Sequence, residues 1–268
     1  MKILLFGPNG MLGNYFTVYL SKYYETKKID RNKLDAYYAT YDNIMDLLVN
    51  YRDDDVFVIN CIGIIPQRND MLDFRKYIIV NTLFPNMLAN CCQKLNYKMV
   101  HISTDCVYSG NKGDYTEKDV HDETNIYGVT KSLGEPSNCC VIRTSIIGEE
   151  LQNKKSLLEW IRSQNGKKIN GFINHYWNGV TCLQLAKIVH FMIENNIYWN
   201  GVRHIYSPSS VIKYELVKMI IEIYNLNITV DKYETATINK TITSIYEPFI
   251  NIPDIKDQII ELHEFELK

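Results

Sequence analysis

A tyrosine and a lysine four residues apart form the most chemically suggestive pair in this sequence. They belong to the segment YGVTK, in which Tyr127 and Lys131 lie at the start of a predicted helix. The four-residue spacing puts the phenol and the ammonium on one face of that helix. A phenol with a pKa of about 10 is a poor acid–base catalyst at neutral pH, and a nearby ammonium lowers that pKa. Tyr127 could then donate a proton to a carbonyl oxygen while the carbonyl is reduced.

A second hydroxyl follows a different predicted strand. The segment HIST ends this strand at Thr104, whose hydroxyl would hold the same carbonyl oxygen. Because a YxxxK spacing is common by chance, its interpretation depends on this context. We predict Thr104, Tyr127 and Lys131 as the catalytic residues, with Ser103 on the cofactor side.

A glycine-rich turn stands near the start of the chain, between a short apolar strand and a helical pattern. Its sequence GPNGMLG spans residues 7–13 and has the spacing GxxGxxG. Glycine permits positive φ in the turn and lets the backbone approach a pyrophosphate, which then meets the N–H groups and the positive dipole end of the helix. The turn therefore predicts a dinucleotide site. Its predicted contact residues are Gly7, Asn9, Gly10, Met11, Leu12 and Gly13.

The end of the second strand distinguishes between the two nicotinamide cofactors. An acidic residue there binds the ribose 2′-hydroxyl of NAD, whereas a basic residue accommodates the 2′-phosphate of NADP. The sequence offers both, as Asp30-Arg31. Because arginine can pair bidentately with a phosphate, we favour NADPH and leave NADH open; the alternative is that the pair forms a solvated turn. Cys61, Gly63 and Asn81 are predicted to line the same groove, although an asparagine near a helix start is often only a cap.

These residues need a sheet edge that brings them together. Short apolar runs alternate with helical patterns through the first half of the chain, which is typical of an α/β fold with a doubly wound parallel sheet of the Rossmann type. The carboxyl ends of such strands share one edge, where a ligand binds. After about residue 144 the rhythm changes. We predict a dinucleotide-binding domain at residues 1–148 and a smaller, mainly nucleotide-sugar-binding lobe at 149–268, interleaved with late elements of the first domain. The predicted elements are Lys2–Phe6, Met11–Tyr24, Val56–Gly63, Tyr77–Leu95, Lys98–Ser103, Cys140–Thr144, Lys154–Gln164, Gln184–Asn195, Gly201–Tyr206 and Lys213–Tyr224.

The composition argues against several other classes of protein. A chain of 268 residues with 46% apolar content can bury a full core. With 29 Lys+Arg against 31 Asp+Glu, the net charge of −2 gives no broad positive field for nucleic acid. The apolar stretch at 56–65 is about half of a membrane span, and the run at 3–6 is too short for a signal peptide. Seven cysteines without CxxC or Cys/His spacing predict neither a disulfide frame nor a metal site. We expect a soluble, cytoplasmic protein.

Six segments resemble the extended short-chain dehydrogenases/reductases and, within them, the dTDP-4-dehydrorhamnose reductase family. They occur in family order across about the first 145 residues: MKILLFGPNGMLG, VINC, VNTLFPNMLA, HISTDCVYSG, YGVTKSLGE and VIRTS. The resemblance implies a UDP- or dTDP-linked 4-keto-6-deoxyhexose as substrate, with the sugar over the nicotinamide and the nucleotide in the C-terminal lobe. A homodimer is implied by analogy with other extended members.

One residue departs from that family. Cys106 stands two positions after Thr104, where the reductases usually carry an aromatic residue; GDP-fucose synthase and the plant nucleotide-rhamnose synthases, which also epimerise, are similar to this chain in having a cysteine there. A 4-keto group acidifies the hydrogens on C3 and C5, so that a thiolate beside them could act as a base. Cys106 therefore predicts a coupled 3,5-epimerase, although a small buried residue is the alternative. By resemblance to GDP-fucose synthase we place the acid partner at Lys155, with Lys154 and His175 as competitors.

The remaining predicted contacts are with the nucleotide sugar. Amide and aromatic side chains suit a uracil or thymine ring, and Arg203 could neutralise a phosphate. The alternative for the C-terminal lobe is a packed loop of core aromatic residues. The predicted substrate contacts are Gln67, Arg68, Asn69, Thr104, Asp105, Cys106, Phe172, Asn174, Trp177, Asn178, Thr181 and Arg203.

Two other functions stay open on the sequence. The first is a 4-keto reductase that needs a separate epimerase. The second is a non-catalytic subunit, because the regulatory subunit of methionine adenosyltransferase resembles the same reductases; the presence of Thr104, Tyr127 and Lys131 argues against it.

Overall fold

A parallel sheet of six strands forms the centre of the molecule. The computed structural model describes residues 1–52, 55–66 and 73–267. The strands follow the order β2-β1-β3-β4-β5-β10 across the sheet, so that the order reverses between β1 and β3 and opens a crevice at their carboxyl ends. The predicted doubly wound fold is confirmed. The six strands are β1 (Lys2–Phe6), β2 (Glu25–Ile29), β3 (Val56–Asn60), β4 (Lys98–Thr104), β5 (Cys140–Thr144) and β10 (Gly201–His204).

Helices cover both faces of this sheet. Successive strand residues point to opposite faces: Ile3 and Leu5 belong to one hydrophobic cluster, and Leu4 and Phe6 to another. The first face packs against α1 and α7, which also contact each other, and the second packs against α2, α4 and α5. The helices of the sheet domain are α1 (Met11–Leu20), α2 (Tyr41–Val49), α3 (Phe74–Tyr77), α4 (Phe84–Lys94), α5 (Ile126–Leu133) and α7 (Cys182–Glu194).

The third crossover contains a π-helical turn. It covers Ile78–Leu83, between α3 and α4, where the sequence predicted one continuous helix. Proline has no N–H to donate to the carbonyl four residues earlier in a helix. Pro85 stands four residues after Asn81, so the Asn81 carbonyl lacks this α-helical hydrogen bond. The π turn therefore leaves Asn81 in the middle of a helical connection and not at a helix start, which argues against the alternative that it only caps a helix.

Small sheets make up most of the C-terminal part. The pairs are β6 with β9 and β7 with β12, whereas β8 lies between β11 and β13. Because α7 and β10 return to the main sheet, the division at residues 148 and 149 stays a prediction. No helix in residues 1–52, 55–66 and 73–267 is long and apolar enough to cross a membrane. The remaining elements are β6 (Ile146–Ile147), α6 (Leu157–Ser163), β7 (Lys168–Phe172), β8 (His175–Trp177), β9 (Val180–Thr181), β11 (Val211–Ile212), α8 (Lys213–Ile223), β12 (Thr229–Tyr233), β13 (Ile238–Asn239) and α9 (Ile255–Glu264).

Candidate active site

The glycine-rich turn connects β1 to α1 at the crevice. Gly7 has φ +78°, in the left-handed region, and a Cβ on Gly13 would lie 2.0 Å from the Gly7 carbonyl oxygen. The N-cap of α1 is Gly10, which has no side chain to bind the N–H groups of the first turn. These groups are therefore open to an anion, and the residues present fit the pyrophosphate of a dinucleotide. Leu12 packs in the core, so only its backbone faces the turn, whereas Asn9 is exposed.

Asp30 and Arg31 follow β2 directly, as predicted for the ribose end of the site. The Asp30 carboxylate accepts hydrogen bonds from the N–H groups of Asn32 (3.1 Å) and Lys33 (3.3 Å), so it fixes the turn. Arg31 is exposed at the tip.

Three predicted groove residues meet near the end of β3. A Cβ on Gly63 would lie 3.7 Å from Asn81 Oδ1 and 4.0 Å from Lys131 Nζ. The buried Asn81 amide accepts from the Ile64 N–H (2.8 Å) and donates to the Ile64 carbonyl (3.0 Å), so it holds this loop in place. Cys61 lies two residues before Gly63, and burial raises the pKa of the Cys61 thiol.

The structure brings Thr104, Tyr127 and Lys131 to one point of the sheet edge. Thr104 is the last residue of β4, and Tyr127 is the second residue of α5. A Cβ on Gly128 would lie 2.4 Å from the Cys106 carbonyl oxygen, so this glycine lets α5 approach the segment after β4. The Thr104 hydroxyl then lies close enough to Tyr127 to lower the pKa of its phenol.

Lys131 lies one helical turn below Tyr127. Its ammonium donates to the Ile102 carbonyl (2.9 Å) and lies 3.4 Å from His101 Nε2. Burial lowers the pKa of Lys131 to about 8, while Glu135 and Cys61 oppose this shift. An ammonium with that pKa is mostly charged at neutral pH, so a positive charge stands beneath the phenol.

Burial also dominates the state of Tyr127. It raises the pKa of the phenol, the neighbouring Cys106 and Asp105 raise it further, and the Thr104 hydroxyl opposes them. The predicted lowering of this pKa by Lys131 is therefore outweighed in the protein by itself. A phenol that keeps its proton at neutral pH suits a proton donor.

Ser103 faces away from the groove. Its hydroxyl donates to Glu135 Oε1 (2.5 Å), and Glu135 in turn pairs with the buried Arg143. The Ser103 hydroxyl is therefore engaged with Glu135, and its predicted cofactor contact stays a prediction.

Asp105 and Cys106 form a second polar pair beside the hydroxyls. Asp105 Oδ1 accepts from Thr104 Oγ1 (3.1 Å) and from Cys106 Sγ (3.5 Å). Burial raises the pKa of the Asp105 carboxyl, and it raises the pKa of the Cys106 thiol to about 12. The positive charges of Lys240 and Lys213 oppose this shift in the pKa of Asp105. The sequence analysis missed both lysines.

The role of the acid partner stays a prediction for all three candidates, whose surroundings differ. Lys155 is exposed and precedes the N-cap Ser156 of α6, so its predicted place within that helix was wrong. Lys154 is also exposed, with φ +45°. His175 stacks on Phe172, with 4.3 Å between ring centroids, and its Nε2 lies 2.8 Å from Thr235 Oγ1.

Several predicted substrate contacts in the C-terminal lobe have structural partners. Asn178 binds both backbone groups of Ile242, at 2.8 and 3.0 Å, and Asn174 binds the backbone of Thr235. Thr181 caps α7 through the Gln184 N–H. These side chains hold later parts of the chain against the lobe, which explains their polarity without a ligand.

Two more predicted contacts differ in their surroundings. Trp177 is buried and donates from Nε1 to Ser145 Oγ (2.7 Å). Arg203, on β10, lies between the rings of Trp199 and Tyr246, at 4.6 and 4.5 Å from their centroids. The role predicted for Arg203, neutralising a phosphate of the substrate, stays a prediction. Gln67, Arg68 and Asn69 lie outside the described residues.

Comparison with known proteins identifies relatives of this arrangement. The family model described as RmlD substrate binding domain matches residues 1–246. The dTDP-4-keto-6-deoxy-D-glucose reductase of Streptomyces niveus is 26% identical over 152 residues, which are 53% of this chain and 51% of that protein. The match thus spans about half the length of this curated relative.

Solved structures are similar over nearly the whole chain. A dTDP-4-dehydrorhamnose reductase from Bacillus anthracis, in complex with NADP, has a TM-score of 0.83 at 19% identity, covering 97% of this chain and 98% of that one. A dTDP-4-dehydrorhamnose reductase from Clostridium acetobutylicum has a TM-score of 0.81 at 21% identity, covering 98% and 99%. At these identities the likeness establishes the fold.

Proposed function

Because this chain belongs to the RmlD substrate binding domain family, we propose that it reduces the 4-keto group of a nucleotide-linked 6-deoxyhexose with a nicotinamide cofactor. The observation that carries the proposal is the placement of Thr104 and Tyr127 together at the sheet edge, with the buried ammonium of Lys131 one helical turn from Tyr127. This group stands at the same sheet edge as the glycine-rich turn. Hydroxyl, phenol and ammonium are the groups that a carbonyl reduction requires of the protein.

Each of the three residues has a separate task. Tyr127 donates its proton to the carbonyl oxygen, because its phenol keeps that proton at neutral pH. Thr104 orients the same oxygen through its hydroxyl. Lys131 supplies a positive charge beneath Tyr127, which stabilises the phenolate that the proton transfer leaves behind.

The cofactor residues are those of the crevice. Gly7, Gly10 and Gly13 would hold the pyrophosphate at the N-terminus of α1, and Gly63 leaves room beside Lys131. When bound, the reduced nicotinamide supplies a hydride to the carbonyl carbon. The relative from Bacillus anthracis was solved with NADP, which supports a nicotinamide cofactor here.

A direct assay tests the proposal. Purified protein is incubated with UDP- or dTDP-4-keto-6-deoxyglucose, with and without a separate 3,5-epimerase, and NADPH oxidation is followed at 340 nm. We expect turnover with at least one of the two nucleotides. No oxidation with any of these substrates would contradict the proposed reduction.

We further propose that NADPH is preferred to NADH. The Asp30 carboxylate is engaged by the turn, whereas Arg31 is exposed directly after β2, where a Rossmann fold binds the ribose. A hydrogen bond between charged groups is worth roughly 1.5–3 kcal/mol, or about 10-fold to 100-fold in affinity. We therefore expect Arg31→Ala to raise the KM for NADPH at least about 10-fold and to leave the KM for NADH nearly unchanged. Equal changes for both cofactors would assign Arg31 no role in this choice.

Coupled 3,5-epimerisation is the second proposal, and the position of Cys106 supports it. The thiol lies close enough to Tyr127 to influence the pKa of the phenol. Its pKa of about 12 keeps Sγ protonated in the protein by itself, so a base is needed to activate it. Asp105 Oδ1, which already accepts the hydrogen bond from Sγ, could take that proton. The thiolate could then remove a proton from the carbon next to the ketone.

Cys106→Ala separates the coupled enzyme from a simple reductase. We expect the variant to lose about 100-fold or more of its activity on the 4-keto-6-deoxyglucose nucleotide, because general base catalysis contributes about that much. Reduction of the substrate already epimerised should stay within about 3-fold of wild type. Product analysis by NMR distinguishes the sugars, and Cys91→Ala is the control for loss of a buried thiol elsewhere. Unchanged activity on both substrates would leave a simple reductase.

A further inference from the structure

Two lysines from late elements of the chain face the segment that follows Thr104. Lys213 is the first residue of α8, and Lys240 follows β13. The charge of each acts on the Asp105 carboxyl and on the Cys106 thiol. The site is therefore more positive than its own strand suggests.

The two lysines differ in their partners. Lys240 Nζ forms an ion pair with Glu123 Oε2 at 3.1 Å, and both side chains are mostly buried, at 21% and 15% exposure. In the described ranges, Lys213 Nζ has no carboxylate within ion-pair distance. Its described close contact is the face of Trp177, with 5.3 Å to the ring centroid. The charge of the Asp105 carboxyl favours the charged form of Lys213, but among the described residues Nζ forms no ion pair with it.

Such an ammonium is costly unless a ligand compensates it. Burial removes water from a charged group, and it accordingly lowers the pKa of Lys213. A cation over an aromatic ring recovers only part of that loss. An anionic ligand would restore the favourable charged state.

The backbone around Lys213 adds to the positive potential. Strand β11 pairs with β8, with Val211 opposite Trp177, and this register starts α8 beside the tryptophan. The N-cap of α8 is Ile212, which offers no side-chain hydrogen bond to the first turn. The N–H groups and the positive dipole end of an eleven-residue helix therefore lie on the same side as the ammonium.

We propose that Lys213, together with the N-terminus of α8, binds the diphosphate of the nucleotide-sugar substrate. The inference rests on the proposed function, since it needs a substrate that carries a diphosphate. The diphosphate would then lie on the side of Asp105 and Cys106 that faces the C-terminal lobe. The sugar would lie between the diphosphate and Tyr127. The role that the sequence suggested for Arg203 passes to Lys213, because the Arg203 guanidinium lies between two aromatic rings.

Lys213→Met tests this assignment, because methionine keeps most of the length of the side chain and its apolar packing but removes the charge. UDP and dTDP are titrated calorimetrically into the protein without cofactor, and KM and kcat are measured with the nucleotide sugar and NADPH. We expect the Kd of the nucleoside diphosphate and the KM of the sugar nucleotide to rise at least about 10-fold, with kcat changed less than about 3-fold. Lys213→Arg should restore most of the affinity. The Kd of NADPH should stay unchanged in both variants.

Lys218→Met is the matched control. Lys218 lies on the same helix, also over an aromatic ring, at 5.6 Å from the Tyr214 centroid, but it is exposed. We expect this variant to behave as wild type. If urea unfolding shows that Lys213→Met is unstable, Lys213→Gln replaces it in the same measurements.

Three results would overturn the assignment. They are a wild-type protein that binds neither UDP nor dTDP, a Lys213→Met variant with Kd and KM within about 2-fold of wild type, and a loss of kcat at constant KM. If the wild-type protein binds a nucleoside diphosphate but does not oxidise NADPH, the proposed reduction is contradicted. The binding measurements on Lys213→Met would still test the role of Lys213, because they do not require turnover.

Discussion

Tyr127→Phe is expected to abolish turnover while leaving the fold and the cofactor site intact. The substitution removes only the phenol oxygen, whose raised pKa keeps its proton at neutral pH. General acid catalysis by a positioned side chain contributes about 100-fold to 10,000-fold, so we expect kcat to fall by about 1,000-fold. The Kd of NADPH, measured by fluorescence titration, should stay within about 2-fold, because the glycine-rich turn is untouched.

The control for this prediction is a tyrosine away from the site. Tyr38 is 75% exposed, and Tyr38→Phe should keep full activity. If Tyr127→Phe retains more than about a tenth of wild-type kcat, Tyr127 is not the proton donor. A protein that binds NADPH but shows no turnover even as wild type would favour the non-catalytic alternative.

The pH profile gives a second view of the same group. The pKa of Lys131 is lowered to about 8, so its ammonium is charged below that pH and loses its proton above it. If the charge stabilises the phenolate of Tyr127, kcat falls as the pH rises through about 8. This direction is opposite to that expected of an essential carboxylate, whose activity would fall toward acid pH.

Local sequence predicted those parts of the site that one short segment builds. The segments GPNGMLG and YGVTK each carry a turn or helix start together with its chemistry, and the structure brings both to the crevice. Strand β2 had no such signal. Its sequence ETKKI lacks an apolar run because it is an edge strand, with Ile29 alone fully buried.

Long-range pairing built the parts that the sequence did not reveal. Lys213 reaches the catalytic edge only because β11 pairs with β8, and Lys240 because β13 pairs with the other side of β8. A lysine at the start of a helix or after a two-residue strand has no local signal for such a role. The opposite error arose at Asn178, where an amide among aromatic residues suggested a ligand but satisfies the backbone of Ile242.

The largest expected loss of stability lies at a buried ion pair behind the site, between Glu135 and Arg143. The Arg143 side chain is 1% exposed and binds both carboxylate oxygens of Glu135, at 3.0 and 2.6 Å. Removing one partner leaves an uncompensated buried charge, which costs about 3–5 kcal/mol. We therefore expect Glu135→Gln to lower the free energy of unfolding by about that amount in urea titrations.

An exposed pair supplies the control for this effect. Lys187 and Glu261 lie 2.6 Å apart with Glu261 44% exposed, so Glu261→Gln should cost no more than about 1 kcal/mol. The double variant Arg143→Met/Glu135→Gln should lose less stability than the sum of its single variants, since it leaves no unpaired charge. A cost below about 1 kcal/mol for Glu135→Gln would refute the importance of the pair.

The same cluster should make the fold sensitive to acid. Arginine has no hydrogen-bond acceptor, so the Nε2 atoms of His121 and His204, at 2.7 and 2.8 Å from the guanidinium, must accept and carry no proton. Burial and the Arg143 charge lower the pKa of His204 to about 4, below its value of about 6.5 in the unfolded chain. As the pH falls between these values the unfolded chain binds the proton first, so stability is full above about 6.5 and declines toward 4. We expect the urea midpoint of the wild type to fall as the pH is lowered across this range. A midpoint that does not change with pH would show that protonation of the two histidines does not destabilise the fold.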